Sequence, residues 1–172
     1  MELPSAIENM LSSQFPTRLP VWWARHGEVN SHPTIPGVSG RKIVIRYPKK
    51  FKRLEKLMQR IFKGPIEIRR PLDRMNSLLW ELCNGRRNFA EICEYLDSTF
   101  HEDIAPVAER TATALRQMQT LGLVIILEKP DDCIWDVGPG ITPEGHNLEP
   151  EYPEIFDILL LENEKISTIE EE

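Results

Sequence analysis

Histidine and cysteine side chains are the groups of this sequence that could hold a metal ion or act as nucleophiles. The four histidines form no HxxH or HExxH pair, and the three cysteines lack CxxC spacing. A zinc site or a disulfide framework needs such spacings. We therefore expect no metal site and no cofactor at these residues, which are His26, His32, His101, His146, Cys83, Cys93 and Cys133.

Glycine-rich and acidic motifs do not indicate catalysis either. The sequence contains no GxGxxG, GxxxxGK[ST] or GxSxG motif. Gly138-Pro139-Gly140 is typical of a turn, since no predicted strand precedes it and no predicted helix follows it. The pair Asp131-Asp132 lies in a strongly acidic tail, where solvated carboxylates are the ordinary state. We expect that the protein is not an enzyme.

Charge is distributed very unevenly along the 172 residues, whose net charge is −6. Residues 41–74 carry thirteen basic and three acidic side chains, whereas residues 128–172 carry two basic and fourteen acidic ones. Such blocks predict polarised partner surfaces or an acidic tail that folds back on a basic face; two solvated faces are the alternative. If the tail shields the basic face, removal of residues 141–172 should raise the affinity for polyanions.

No segment is typical of membrane insertion or secretion. The longest apolar run, Leu123–Leu127, is far shorter than the ~20 residues that span a bilayer. The acidic start of the sequence lacks the basic region of a signal peptide, and an odd cysteine number suits a reducing compartment. We expect a cytoplasmic protein without a membrane partner.

The first half of the sequence predicts short strands and one basic helix. Residues 1–20 are punctuated by proline and predict an irregular arm, and residues 26–40 predict a long loop. Apolar residues at helical spacing predict an amphipathic basic helix over residues 51–61. Three segments rich in β-branched or aromatic residues predict strands, namely Val21–Arg25, Ile43–Tyr47 and Ile66–Arg69.

The second half predicts three helices and a final strand. Asp73 is a typical N-cap for the first helix, and Asn88 with Glu91 resembles a capping box for the second. Pro106 suits the first turn of the third helix, and Gly122 is expected to end it. The buried stripe of that helix is predicted to be Val107, Thr111, Ala114, Met118 and Leu121, and Leu123–Leu127 is predicted to be a strand.

These elements predict an α+β fold, a winged-helix-like module in which a small antiparallel sheet is followed by three helices. The N-terminal arm is assigned to residues 1–20 and the module to 21–127. Within the module, residues 41–70 form the basic strand-helix-strand part and 73–122 the three-helix part, and an acidic extension follows at 128–172.

The sequence resembles the PqqD family at several motifs. LDRMNSLLWEL at Leu72–Leu82 is similar to the family pattern LD-x-x-G-S-x-x-W-x-L, and NGRRNFAEI at Asn84–Ile92 is similar to DG-K-R-T-V-x-E-I. Asn76 stands where the family usually has glycine, and Asn84 where it usually has aspartate. The resemblance covers residues 41–127 well and 18–40 loosely. Further similarity lies at Val44-Ile45, Pro48-Lys49, Phe100–Pro106, Glu109-Arg110 and Leu121–Leu123.

The resemblance implies a non-catalytic module that recognises ribosomally made, modified peptides. Such a module captures the leader of a precursor peptide and presents it to a modifying enzyme, commonly a radical SAM protein. A winged-helix nucleic-acid-binding protein is the first alternative, and a regulatory or structural partner the second. Sequence-specific duplex binding is not expected, because the third helix offers only Arg110 and Arg116 beside Glu109. A homodimer is compatible with the sequence.

A peptide groove is expected beside the third helix. A second line of residues on that helix predicts a shallow channel, although the line could equally widen the buried face. These residues are Ala108, Ala112, Leu115 and Gln119. In PqqD-like modules the third strand lies at a sheet edge, where an extended peptide can pair, and Arg69 and Arg116 would steer acidic residues. Ile68→Pro is expected to abolish peptide binding by removing a backbone donor, if that N–H faces the free edge. The candidate residues are Ile66, Ile68, Arg69, Ala108, Ala112, Leu115, Arg116 and Gln119.

Overall fold

A computed structural model describes residues 10–48, 67–130, 137–146, 148, 155–159 and 161. Within these residues the chain forms five strands and three helices, an α+β fold as predicted. The predicted helix at 51–61 and the candidate Ile66 lie outside the described residues. The elements are β1 (Phe15–Arg18), β2 (Trp22–His26), β3 (Lys42–Pro48), β4 (Glu67–Pro71), α1 (Arg74–Leu82), α2 (Phe89–Phe100), a 3-10 turn (His101–Ile104), α3 (Val107–Thr120) and β5 (Val124–Leu127).

Strands β2, β3 and β4 form an antiparallel sheet in that order. Ala24 lies opposite Val44, and Ile45 lies opposite Arg70. All three strands were predicted to within two residues at each end. Their alternation places Trp23 and Arg25 on the helix-facing side of the sheet and Trp22 and Ala24 on the other side.

A second sheet of two strands joins the N-terminal segment to the strand after the last helix. β1 pairs antiparallel with β5, with Phe15 opposite Leu127 and Arg18 opposite Val124. The prediction of an irregular arm is therefore wrong for Phe15–Arg18. Its sequence, Phe-Pro-Thr-Arg, has no alternating pattern, and Pro16 is tolerated because the strand lies at a sheet edge.

Helices α1 and α2 begin at the predicted caps. The Asp73 side chain accepts a hydrogen bond from the Asn76 backbone N–H at 2.7 Å. Asn88 and Glu91 form the reciprocal capping box, with bonds of 2.9 and 2.8 Å. Each bond satisfies a backbone N–H that has no partner within the helix.

Helix α3 ends before Gly122 as predicted, but its first residue and its buried stripe differ slightly from the prediction. Pro106 is the N-cap residue and precedes the first turn. Leu121, predicted to be buried, is 43% exposed, because the helix ends at Thr120 and Gly122 turns the chain at a φ of +71°. Leu115 takes its place in the core and is 1% exposed.

The main core lies between the helix-facing side of the three-stranded sheet and the helices. The rings of Trp23 and Trp80 meet edge to face at 6.2 Å between centroids. Arg25 lies on the same side of the sheet and forms an ion pair with Glu81 of α1 at 2.8 Å, and neither side chain is exposed. Glu81 also accepts hydrogen bonds from the backbone N–H and the hydroxyl of Ser39, at 3.0 and 2.6 Å. This buried network ties the sheet to α1.

The described part of the C-terminal extension covers the other side of the sheet. Trp22, Ala24 and Val44 are buried there beneath apolar side chains of the extension, namely Leu148, Phe156 and Ile158. The rings of Trp22 and Phe156 are 6.2 Å apart. The residues of this region therefore form three layers, with the sheet between the helices and the extension.

The extension also pairs with the outer edge of β2. The backbone N–H groups of Arg25 and Asp157 each donate to the other residue's carbonyl, at 3.0 and 2.7 Å. The Gly140 N–H donates to the Trp23 carbonyl at 2.8 Å, and a Cβ at Gly140 would lie 2.5 Å from Ile158. Among the described residues, an ion pair between the acidic tail and the basic block joins Arg41 to Asp157 at 2.9 Å. Shielding of the rest of that block stays a prediction.

Candidate functional site

A cleft of about 310 Å³ lies between the start of α1 and the exposed face of α3. α1 contributes one wall through its first turn, and α3 contributes the other wall over more than two turns. The lining residues are Met75, Asn76, Glu109, Arg110, Thr113, Ala114 and Gln117.

The floor of the cleft is apolar and its walls are polar. Ala114 is 6% exposed and Met75 is half-buried, so both lie low in the cleft. Thr113 and Gln117 are exposed on α3. From Glu109 to Gln117 the helix rises about 12 Å, which matches three to four residues of an extended chain.

Asn76 is oriented by the cap of α1. Its backbone N–H donates to one oxygen of Asp73, and its side-chain Nδ2 donates to the other at 3.2 Å. No hydrogen bond to its Oδ1 occurs among the residues that the structure describes. Asn76 thus lines the cleft with an acceptor that has no described donor, in a position where the resembling family usually has glycine.

Arg110 is held at the opposite wall by the turn that precedes α3. Its Nη1 donates to the carbonyl of Asp103, and its backbone N–H donates to the Pro106 carbonyl at 3.2 Å. The guanidinium has further N–H donors besides the one used on Asp103. Arg110 is thus positioned to bind a carboxylate at the mouth of the cleft.

The predicted groove residues of α3 lie on another face of the helix. Ala108 and Ala112 are half-buried against the core, Leu115 is fully buried, and Arg116 and Gln119 are exposed. None of these five lines the described cleft. The interpretation of their line as a shallow channel is wrong at Leu115, because this side chain fills the core. Whether any of the five contacts a peptide stays a prediction.

β4 is the outer strand of its sheet in the described structure, as predicted. The Leu72 N–H donates to the Ile43 carbonyl at 2.8 Å. Because antiparallel pairs alternate, the same register directs the backbone groups of Ile68 toward Tyr47 of β3. The condition attached to Ile68→Pro, that this N–H faces the free edge, is therefore not met, and the substitution would break a bond within the sheet. Arg69 is exposed, and its Nε donates to Glu67 at 2.8 Å.

Cys83 and Cys93 are buried thiols, and His26 is the last residue of β2. Burial raises the pKa of Cys83 to about 12, so this thiol is protonated and inert at neutral pH. Burial lowers the pKa of His26, whose ring lies 5.9 Å from that of Phe156, and Lys42 and Arg41 lower it further. No group of three or more His, Cys, Asp or Glu residues that could hold a metal ion occurs within the described ranges. None of the helices in those ranges has the length and apolar composition of a membrane-spanning segment.

Comparison with known proteins gives a match in the region of the chain that contains the cleft. The family model of coenzyme PQQ synthesis protein D (PqqD) matches residues 71–124. No curated protein and no solved structure gives a significant match. The matched segment runs from the end of β4 to the start of β5, so it includes α1, α3 and every lining residue of the cleft. The chain therefore contains a PqqD-like domain.

Proposed function

We propose that this protein is a non-catalytic peptide-binding module of the cytoplasm. The cleft between α1 and α3 would hold a segment of a precursor peptide and present it to a modifying enzyme, such as a radical SAM protein. The observation that carries the proposal is that all seven lining residues, from Met75 to Gln117, fall inside the segment that the PqqD family model matches.

The chemistry of the cleft suits a peptide. The side chains of Asn76, Thr113 and Gln117 offer neutral hydrogen-bonding groups to an extended backbone, while Met75 and Ala114 offer an apolar floor for one side chain. A contact of three to four residues is small, so we expect a dissociation constant in the micromolar range, about −8 kcal/mol.

Nucleic-acid binding is the second candidate, and the +10 charge of residues 41–74 is the observation that favours it. Phosphate contacts from such a block would give weak, salt-dependent binding without base readout. Among described residues, α3 offers only Arg110 and Arg116 as cations for reading bases, and Glu109 lies beside them. We therefore expect any duplex binding to collapse between roughly 50 and 200 mM salt.

Selection from a displayed library of random peptides, about twelve residues long and thus longer than the cleft, tests the proposal. We expect the full chain to enrich a family of related peptides. Thr113→Trp places a large ring in the cleft from an exposed position, so it should weaken binding of an enriched peptide at least tenfold, about 1.4 kcal/mol.

Gln119→Trp is the matched control, because Gln119 is exposed on the same helix but does not line the cleft. It should bind the enriched peptides as the natural sequence does. Equal binding by the natural sequence and Thr113→Trp would refute the assignment of the cleft. Loss of binding in Gln119→Trp would instead favour the face of α3 that was predicted from the sequence to form the groove. Failure to enrich any peptide would contradict the function itself.

A further inference from the structure

The cleft carries two opposite charges at neighbouring positions of α3. Arg110 is the one cation among the described lining residues, and Glu109 is the one anion. Both side chains are exposed, so each can meet a ligand that enters the cleft. A ligand of this cleft therefore has to suit one positive and one negative side chain, in addition to fitting the size of the cleft and its apolar floor.

Arg110 is preorganised to bind one carboxylate. The bond from its Nη1 to the Asp103 carbonyl restrains the guanidinium near the start of α3. Less side-chain freedom is then lost when a ligand binds. The remaining donors of the planar guanidinium match the two oxygens of a carboxylate, and such charge-assisted pairs are the stronger hydrogen bonds.

Glu109 limits the number of acidic groups that can enter. A second carboxylate on the ligand would lie near Glu109, and like charges repel each other without a compensating partner. A run of acidic residues is therefore disfavoured.

We propose that the cleft selects a peptide in which a single Asp or Glu stands beside an aliphatic residue, and that it rejects acidic runs. The carboxylate would bind Arg110, and the aliphatic side chain would rest on Met75 and Ala114. This inference rests on the proposed function and adds the class of peptide. It differs from the expectation for Arg69 and Arg116, since Arg69 bonds to Glu67 and Arg116 lies outside the cleft lining.

The test compares the peptides that four forms of the full chain enrich from the same random library. The natural sequence should enrich peptides with one acidic position next to an aliphatic one. Arg110→Gln should lose the acidic preference and keep the aliphatic one, with affinity for the natural sequence's best peptide reduced about tenfold. Glu109→Gln should enrich peptides with two or more neighbouring acids, and Arg116→Gln should match the natural sequence.

The outcomes separate this inference from the function on which it rests. Enriched peptides that are blocked by Thr113→Trp but show no acidic preference would overturn the inference and leave the function intact. An acidic preference that survives Arg110→Gln, or that disappears in Arg116→Gln, would overturn it as well. If no peptide is enriched, both fail. Equal thermal midpoints of the four forms exclude unfolding as the cause of any loss.

Discussion

Glu81→Ala is expected to lower the free energy of unfolding by about 3–5 kcal/mol, because it removes a buried carboxylate that pairs with the buried guanidinium of Arg25. The Arg25–Glu81 pair is 2.8 Å long, and neither side chain is exposed. The substitution also removes the acceptor of two hydrogen bonds from Ser39. Since small domains are stable by only about 5–15 kcal/mol, a large part of the stability should be lost. Urea unfolding followed by tryptophan fluorescence measures the change.

Asp157→Asn is the control for this prediction. It weakens the ion pair between Asp157 and Arg41, in which the side chain of Arg41 is 24% exposed and that of Asp157 is 33% exposed. The asparagine keeps an oxygen that can accept a hydrogen bond from the Leu159 N–H. Pairs exposed to solvent contribute about 0–1 kcal/mol, so the urea midpoint should move little. A shift for Glu81→Ala no larger than that of the control would show that the buried network does not stabilise the sheet against α1.

Removal of residues 148–172 is expected to destabilise the protein by about 3 kcal/mol or more. The deletion strips Leu148, Phe156 and Ile158 from the outer side of the sheet and exposes Trp22 and Val44, and burial of one large apolar side chain contributes about 1.5–3 kcal/mol. It also frees the backbone groups of Arg25 that pair with Asp157. The measurements are the urea midpoint and binding of a dye that reports exposed apolar surface.

A chain that ends at Leu161 is the matched control, since it keeps every contact described for the extension. It should unfold at nearly the same urea concentration as the full chain. Equal midpoints for the two truncations would mean that the extension does not stabilise the sheet.

Deletion of residues 141–172, which should raise the affinity for polyanions if the tail shields the basic face, removes these same contacts. Because that deletion also uncovers the sheet, charge-neutralising substitutions in the extension test the shielding more cleanly.

Local signals predicted most of the fold. The caps at Asp73 and Asn88 depend on bonds that span three residues, so the helix starts could be predicted from neighbouring residue types. The pairing of β1 with β5 could not, because Phe15 and Leu127 are far apart in sequence and Pro16 conceals the strand. The position of the extension depends likewise on how Phe156 and Ile158 meet a sheet formed much earlier in the chain.

The cleft lies along the same helix as the groove predicted from the sequence, but on another of its faces. Helical periodicity indicates which residues of α3 are apolar, but it does not indicate which neighbouring element covers each face. Leu115 was assigned to the groove and fills the core, whereas Ala114 was assigned to the core and also forms the floor of the cleft. The α1 side of the cleft comes from Met75 and Asn76, more than thirty residues earlier in the sequence.

The central claim is that a peptide binds between α1 and α3, and the backbone amide NMR shifts of the full chain test it most directly. An enriched peptide should be titrated into the labelled protein, and each amide shift followed to saturation. The account predicts that the largest changes occur at Met75, Asn76 and residues 109–117, with β2 little affected. Changes confined to Trp22–His26 and residues 155–159, with none along the cleft, would contradict it.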